Sequence, residues 1–201
     1  MVTTGFSRVH VALYNNMGTT VNYSGCRELA RARSMETDVE TTEDNTFYAN
    51  NRVAELETAQ FANGTATITV DGLSAEEEAF ILGITPTEAA EGAVAEVEYG
   101  ENMNPPYLGI GAVKRMQLNS VVSYRPVIFT KARFAIPSEA AETQEEEVSW
   151  QDQELNATLL RDDSAKHLWK IIPKTNFVTE EEAVEYIRKK FNYVEAGGSS
   201  L

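Results

Sequence analysis

Alternation of apolar and polar residues dominates this sequence. From Arg8 to Tyr14, Val9, Val11 and Leu13 fall on one side and Arg8, His10 and Ala12 on the other. Successive side chains in a strand point to opposite faces, so this predicts a half-buried strand. Asn15-Asn16-Met17-Gly18 then has turn composition. Arg27 to Glu40 lacks a sustained apolar stripe and is read as strand rather than helix. Phe47 to Asn50 predicts a short aromatic strand, with turn chemistry at Asn50-Asn51. Ala66, Ile68 and Val70 alternate with Thr65, Thr67 and Thr69, which predicts a strand rich in β-branched residues on both faces. Asn63-Gly64 ahead of it has the composition of a hairpin turn.

Later segments repeat the theme. Val94 to Tyr99 alternates, and so do two longer stretches, Tyr107 to Leu118 and Val121 to Ile136, joined at Asn119-Ser120. Leu108, Ile110 and Ala112 share one face of the first, and Gly109 and Gly111 on the other predict that something packs closely there. Pro126 predicts an edge or a bulge in the second. Val148 to Leu160, with Leu155, Ala157 and Leu159 on one face, and Lys166 to Ile172 are further strand candidates.

Only two segments carry a helical period. Ser74 with Glu77 three residues on is a capping box, Glu76 to Glu78 fill the first turn, and Gly83 marks the stop. Thr179 with Glu182 repeats the box, followed by Val184, Ile187 and Phe191 at helical spacing and Lys189 and Lys190 in the last turn. The pattern predicts a β-rich (α+β) chain: an antiparallel β-sandwich or barrel with one or two flanking helices. A single domain over residues 1–195 is expected, with acidic loops near 36–57, 85–105 and 137–147, a C-terminal helix over 179–191, and a flexible tail over 196–201.

Composition narrows the function. With 42% hydrophobic residues, a packed core is expected rather than disorder. The 31 acidic against 17 basic residues leave a formal charge of −14, which opposes nucleic-acid binding and favours solubility. The single cysteine, Cys26, excludes an intrachain disulfide and a cysteine-based zinc site, which fits folding in a reducing cytoplasm. Met1 to Arg8 has no basic stretch leading into an apolar run, so no secretory leader is expected, and no run reaches membrane-spanning length.

Catalytic chemistry is missing from the pattern. His10 and His167 sit in strand patterns away from Cys26 and from acidic pairs, so structural roles are expected for both. Cys26 reads as a small core hydrophobe. No phosphate loop occurs, and the acidic triplets at Glu76, Glu145 and Glu180 lack calcium-loop spacing. No catalytic residue, cofactor or metal is expected.

One resemblance stands out. Phe47-Tyr48-Ala49-Asn50-Asn51, then Val53-Ala54-Glu55-Leu56-Glu57, then the threonine-rich run from Asn63 to Leu73, then a short helix ending Leu82-Gly83, follow each other in this order. The order resembles the major tail protein (tail tube protein) family of phages and prophages of Gram-positive bacteria. Pro106 to Gly111, Tyr124 to Phe134 and the passage from Pro137 to Val148 continue the likeness, which spans roughly residues 8 to 172. It implies the tail tube fold, a virion protein assembled in the host cytoplasm, and hexameric rings stacked around a tape measure protein. It also implies tail terminator and tail tip proteins as partners, and a lumen through which DNA passes without specific binding. Within that scheme Glu36, Asp38, Glu40, Glu43, Asp44, Glu55 and Glu57 form an acidic region reaching a neighbour, and Lys114, Arg115, Arg125, Lys131 and Arg133 could meet a neighbour's acidic loops. A virion carbohydrate- or receptor-binding module and the tube of a contractile tail are the alternatives.

Overall fold

The computed structural model describes residues 1–43, 45–49, 52–87, 94–101, 103–138 and 152–193, with the backbone path alone for 45–49 and 52–57. Ten strands and two helices follow in the order β1 (Val2–Asn16), β2 (Val21–Glu28), β3 (Ala32–Thr41), β4 (Asn45–Ala49), β5 (Arg52–Glu57), β6 (Phe61–Val70), α1 (Ala75–Leu82), β7 (Leu108–Leu118), β8 (Val121–Phe134), β9 (Gln153–Leu160), β10 (Lys170–Ile171) and α2 (Glu180–Lys190). Eight strands form one antiparallel sheet, ordered β2-β1-β7-β8-β9-β6-β3 with β10 added beside β8; β4 and β5 form a separate hairpin. β1 and β3 are not neighbours in this order yet pack together, so the sheet curls over its own apolar face. The chain is thus β-rich and antiparallel with two helices, an arrangement consistent with a sandwich.

The alternation read from the sequence fills that curl. Val9, Val11, Ala66, Ile68, Val70, Leu108, Ile110, Ala112, Leu155, Ala157 and Leu159 are all buried in one cluster, joined by Ile81 and Leu82 of α1. Burying each Val, Leu or Ile among them contributes roughly 1.5–3 kcal/mol before entropy is set against it, and each Ala less. α1 has the expected box, with Ser74 and Glu77 bonded reciprocally, and ends at Gly83 in the left-handed region (φ 69°). α2 has the same box at Thr179 and Glu182.

The opposite face of the sheet explains the paired glycines. Ala183, Val184, Ile187 and Phe191 of α2 pack there with Ala12, Val113 and Ile128. A Cβ at Gly109 would lie 2.6 Å from Tyr23 Cε1 and 2.7 Å from Phe191 Cε1. Hydrogen at those positions lets the helix reach the sheet backbone.

β7 and β8 turn at Asn119 and Ser120, which both take positive φ (48° and 66°) as a type I′ hairpin requires. Neither is glycine, and a left-handed side chain costs about 1–2 kcal/mol. Ser120→Gly is expected to stabilise the protein by about 0.5–1 kcal/mol, read as a higher urea midpoint at unchanged slope. An unchanged or lower midpoint would refute this account of the turn.

Several expectations are corrected. Asn63 and Gly64 are not a turn: they lie inside β6, opposite Glu40 and Val39 of β3. Gly64 is there for close approach, since a Cβ would meet the Asp38 carbonyl oxygen at 2.7 Å. The acidic region over 36–57 is not a loop but the end of β3 followed by the β4–β5 hairpin. Asn50, Asn51 and Asp44 lie outside the described residues. Val94 to Tyr99 forms no strand; it is held by a bond from Thr87 N to Glu96 O instead. Of Lys166 to Ile172 only Lys170–Ile171 is strand; His167 takes a positive φ (48°) and donates its N–H to Ser164 O at 2.9 Å, closing a turn instead. Met17 to Thr20, rather than Asn15 to Gly18, makes the turn after β1. Pro126 keeps its edge character locally. Tyr124 and Thr130 send their N–H groups away from β7, to Phe177 O and Trp169 O, and Pro126 shares that side between the two attachments. The acidic loop expected over 137–147 lies outside the described residues beyond 138, as do Trp150 and the tail from 194.

Candidate assembly surfaces

The surfaces of interest are the sheet borders. β2 pairs only with β1, and β3 only with β6, so each has an unpaired side among the described residues. An open strand edge offers a row of N–H and C=O groups to any other chain. Both borders are blunted locally. On β3 the Asp38 carbonyl faces Gly64, so the N–H of the same peptide, belonging to Val39, points to the open side; the Asp38 carboxylate holds it at 2.9 Å. On β2 the Asn22 side-chain oxygen holds Tyr23 N at 2.9 Å, and Asn192, just past α2, donates to Asn22 and to Tyr23 O (3.5 Å).

The acidic candidates fall on the β3 border. Glu36, Asp38 and Glu40 are exposed at alternate positions of β3, and Glu43 is exposed just beyond it. Glu55 and Glu57 lie on β5, opposite Phe47 and Asn45 of β4. The basic candidates sit on β7 and β8, and most make contacts within the chain. Lys131 binds Asp163 at 2.8 Å and lies over the rings of Tyr14 and Tyr107. Arg133 donates to Pro105 O (2.8 Å) and to Asn104. Arg125 donates to Asn176 at 2.8 Å, and Arg115 to Thr4 at 2.9 Å. Lys114 makes no ion pair among the described residues.

Sequence reading missed Asp163 and Tyr14, which complete the Lys131 cluster. Tyr14 Oη donates to Asp163 at 2.7 Å. Bonds from Lys131 and Tyr14 hold the Asp163 carboxyl below its ordinary range, and burial pushes the Tyr14 phenol up. Burial also raises the Cys26 thiol to about 11, so it is not a thiolate nucleophile near neutrality. No sequence signal could pair Tyr14 with Asp163 across 149 positions.

His10 is fully buried in β1. Its Nδ1 lies 3.0 Å from Arg8 O, and its Nε2 has no hydrogen-bond partner among the described residues. Burial holds its pKa below the ordinary histidine value, with Glu28 opposing and Arg188 and Arg8 adding to the shift. The folded chain therefore binds a proton here less readily than the unfolded chain does. As pH falls below about 6.5 the unfolded chain takes up more of that proton, and stability drops, by at most about 1.4 kcal/mol per pH unit. Urea midpoints between about pH 7 and pH 5 should fall less steeply in His10→Gln than in the native protein. Parallel curves would exclude His10 as the source.

Among the described residues, no group of three or more His, Cys, Asp or Glu side chains could hold a metal. A groove of about 970 Å³ runs between residues 173–178 and α2. Of its carboxylates, Glu182 is already engaged by Val178 N and Thr179 N. No helix among the described residues is long and apolar enough to cross a membrane. No protein-family model matches this chain, and no curated protein does.

Proposed function

We propose that the chain is a structural subunit of a phage tail tube, closing edge to edge into hexameric rings that stack around a tape measure protein. The supporting observation is the pair of borders, β2 and β3, left unpaired among the described residues at the two ends of one continuous antiparallel sheet. Two different edges on one molecule make a head-to-tail contact, which closes into a ring when the rotation per copy divides the circle. Ring closure removes every open edge, whereas two-fold pairing through β3 alone leaves β2 bare. The β4–β5 hairpin, hydrogen-bonded outside the main sheet, supplies an arm that can lie on a neighbour. The sequence resemblance sets the class, and the charge of −14 suits a wall past which DNA slides. On this reading the protein is not an enzyme, acts in the virion tail, and meets terminator and tip proteins at the tube ends.

The Asp38 and Asn22 caps fit a subunit that stays soluble until growth begins, because each removes one outward donor from the exposed edge. A carbohydrate- or receptor-binding module calls for an exposed aromatic platform. Trp169 instead stacks flat on Phe61 (ring centroids 4.5 Å apart, planes 5° apart) and packs against the core. A contractile tail would use the same rings inside a sheath. Negative-stain microscopy of concentrated protein is expected to show rings or tubes with a central hole. Strictly monomeric particles at every concentration would end the reading.

A further inference from the structure

A histidine lies sealed beneath α2. His10 shares the α2-facing side of β1 with Ala12, while Val9 and Val11 on either side of it are buried in the main core. Its neighbour on β7 is Gly111, the bare backbone on which Ile187 of α2 rests, and its neighbour on β2 is Glu28. Glu28 and Arg188 of α2 line one groove together with Cys26. Two buried side-chain nitrogens meet no hydrogen-bond partner among the described residues, one on each side of this seam: His10 Nε2 on the sheet and Arg188 Nε on the helix. The charged groups facing His10 are Arg8 from β1, Glu28 from β2 and Arg188 from α2, and Gly111 on β7 adds none. Glu28, the one anion of the three, is already paired with Arg8 at 3.0 Å.

The two sides of the seam are held with unequal strength. β1 is laddered on both sides at His10, to Glu28 and to Gly111, whereas α2 joins no ladder. Ala183, Val184, Ile187 and Phe191 seat the helix on the sheet, and Ser7 Oγ donates to Glu180 in its first turn. Just past its last turn, Asn192 donates to Asn22 and to Tyr23 O on β2. A proton added to His10 creates a buried cation with no acceptor for Nε2 and a guanidinium across the seam, a state that folded proteins avoid. Water reaches that cation most cheaply if the helix lifts, because the helix has the fewest backbone ties. We propose that α2 is a clasp released by acid: protonation of His10 lifts the C-terminal half of α2 from the sheet and withdraws Asn192 from the β2 border. Burial already lowers the His10 pKa in the closed form. With the opened form titrating near about 6.5 and the closed form below it, the clasp is shut at higher pH and loosens as pH falls through that value. This goes beyond the tube reading and stands without it, since it concerns a single chain.

Hydrogen exchange of dilute, monomeric protein at about pH 7.5 and about pH 5.5, corrected for the intrinsic pH dependence of amide exchange, tests the clasp. One pH unit below about 6.5 the opened form gains at most about tenfold over the closed one. Amides over 184–191 should therefore lose protection several-fold, up to about tenfold, while those of β6, β7 and β9 keep theirs. In His10→Gln the loss should vanish. In Arg188→Gln it should shrink, because a proton on His10 then faces no cation from the helix. Each variant is compared with itself at the two pH values, so a lower starting stability cancels, and Arg188→Gln keeps the test decisive if His10→Gln does not fold. Equal loss of protection in every element would mean global unfolding and overturn the inference. Unchanged protection of α2 at about pH 5.5, a loss that persists in His10→Gln, or an undiminished loss in Arg188→Gln overturns it as well. Rings seen by microscopy with an unresponsive α2 leave the tube reading standing and sink the clasp; a responsive α2 on a chain that never assembles does the reverse.

Discussion

Gly111→Val is expected to dislodge α2 from the sheet, at a cost of about 1–3 kcal/mol or more. The physical cause is a distance. A Cβ at Gly111 would stand 2.5 Å from Ile187 Cγ2 and 3.1 Å from Phe191 Cε2. Both of those side chains are fully buried, so neither can swing away. The helix must lift, and Ala183 and Val184 lose their contacts with the sheet together with it. Phe191→Ala should be as damaging from the other direction, about 3–5 kcal/mol, because it leaves a void over Gly109, Gly111 and Tyr23. Urea unfolding of both variants measures the costs. A double-mutant cycle tests the contact itself. Gly111→Ala combined with Ile187→Ala should be milder than the sum of the single changes by about 0.5–3 kcal/mol. Strict additivity would mean that Gly111 and Ile187 do not touch. The helix also covers part of a border, since Asn192 reaches Asn22 and Tyr23 on β2. Lifting α2 should therefore make the variant prone to unregulated association, visible in sedimentation before any loss of strand signal.

The second large effect is on assembly and not on the fold. Val39→Pro should leave the isolated subunit folded and weaken its association. Val39 is half-exposed, and its N–H points to the open side of β3 rather than to β6. Proline there removes no ladder bond within the chain, but it presents a ring and no donor to an incoming strand. An edge that has lost a donor and gained a clash should assemble at least tenfold less readily, equivalent to about 1.4 kcal/mol per contact. The comparison is Ala66→Pro in β6, a buried position that pairs on both sides and should unfold the protein outright. Native assembly by Val39→Pro would remove β3 from the interface.

Some features were legible because they are local. The capping boxes at Ser74 and Thr179 need only four consecutive residues, and both helices begin where those residues place them. The alternation in β6, β7 and β9 survives because each strand buries one face on the same core. Gly109 and Gly111 signalled a close neighbour, though not which one. Asn63-Gly64 misled for the complementary reason: turn chemistry and close strand approach favour the same residue, and only the approach of Asp38 O decides between them. His167 and Lys170 lie three positions apart in one apparent strand, yet the chain turns at the first and pairs only at the second.

The candidate surfaces divide in the same way. That acidic residues crowd positions 36 to 57 and basic residues the β7–β8 hairpin is plain from the chain alone. Which of them remain unpartnered is not. Lys131 is joined to Asp163 and Arg133 to Asn104, while Lys114, equally basic on paper, makes no ion pair among the described residues.

Sequence by itself thus settled the β-rich class, the helix starts, the inward residues of the main strands and the excess of negative charge. These follow from steric periods and capping chemistry that act over a few residues. The tertiary structure alone decided the strand order, the borders that β2 and β3 form among the described residues, and the helix seated on bare glycine backbone. Each of those depends on contacts between segments tens of positions apart, which no local period encodes.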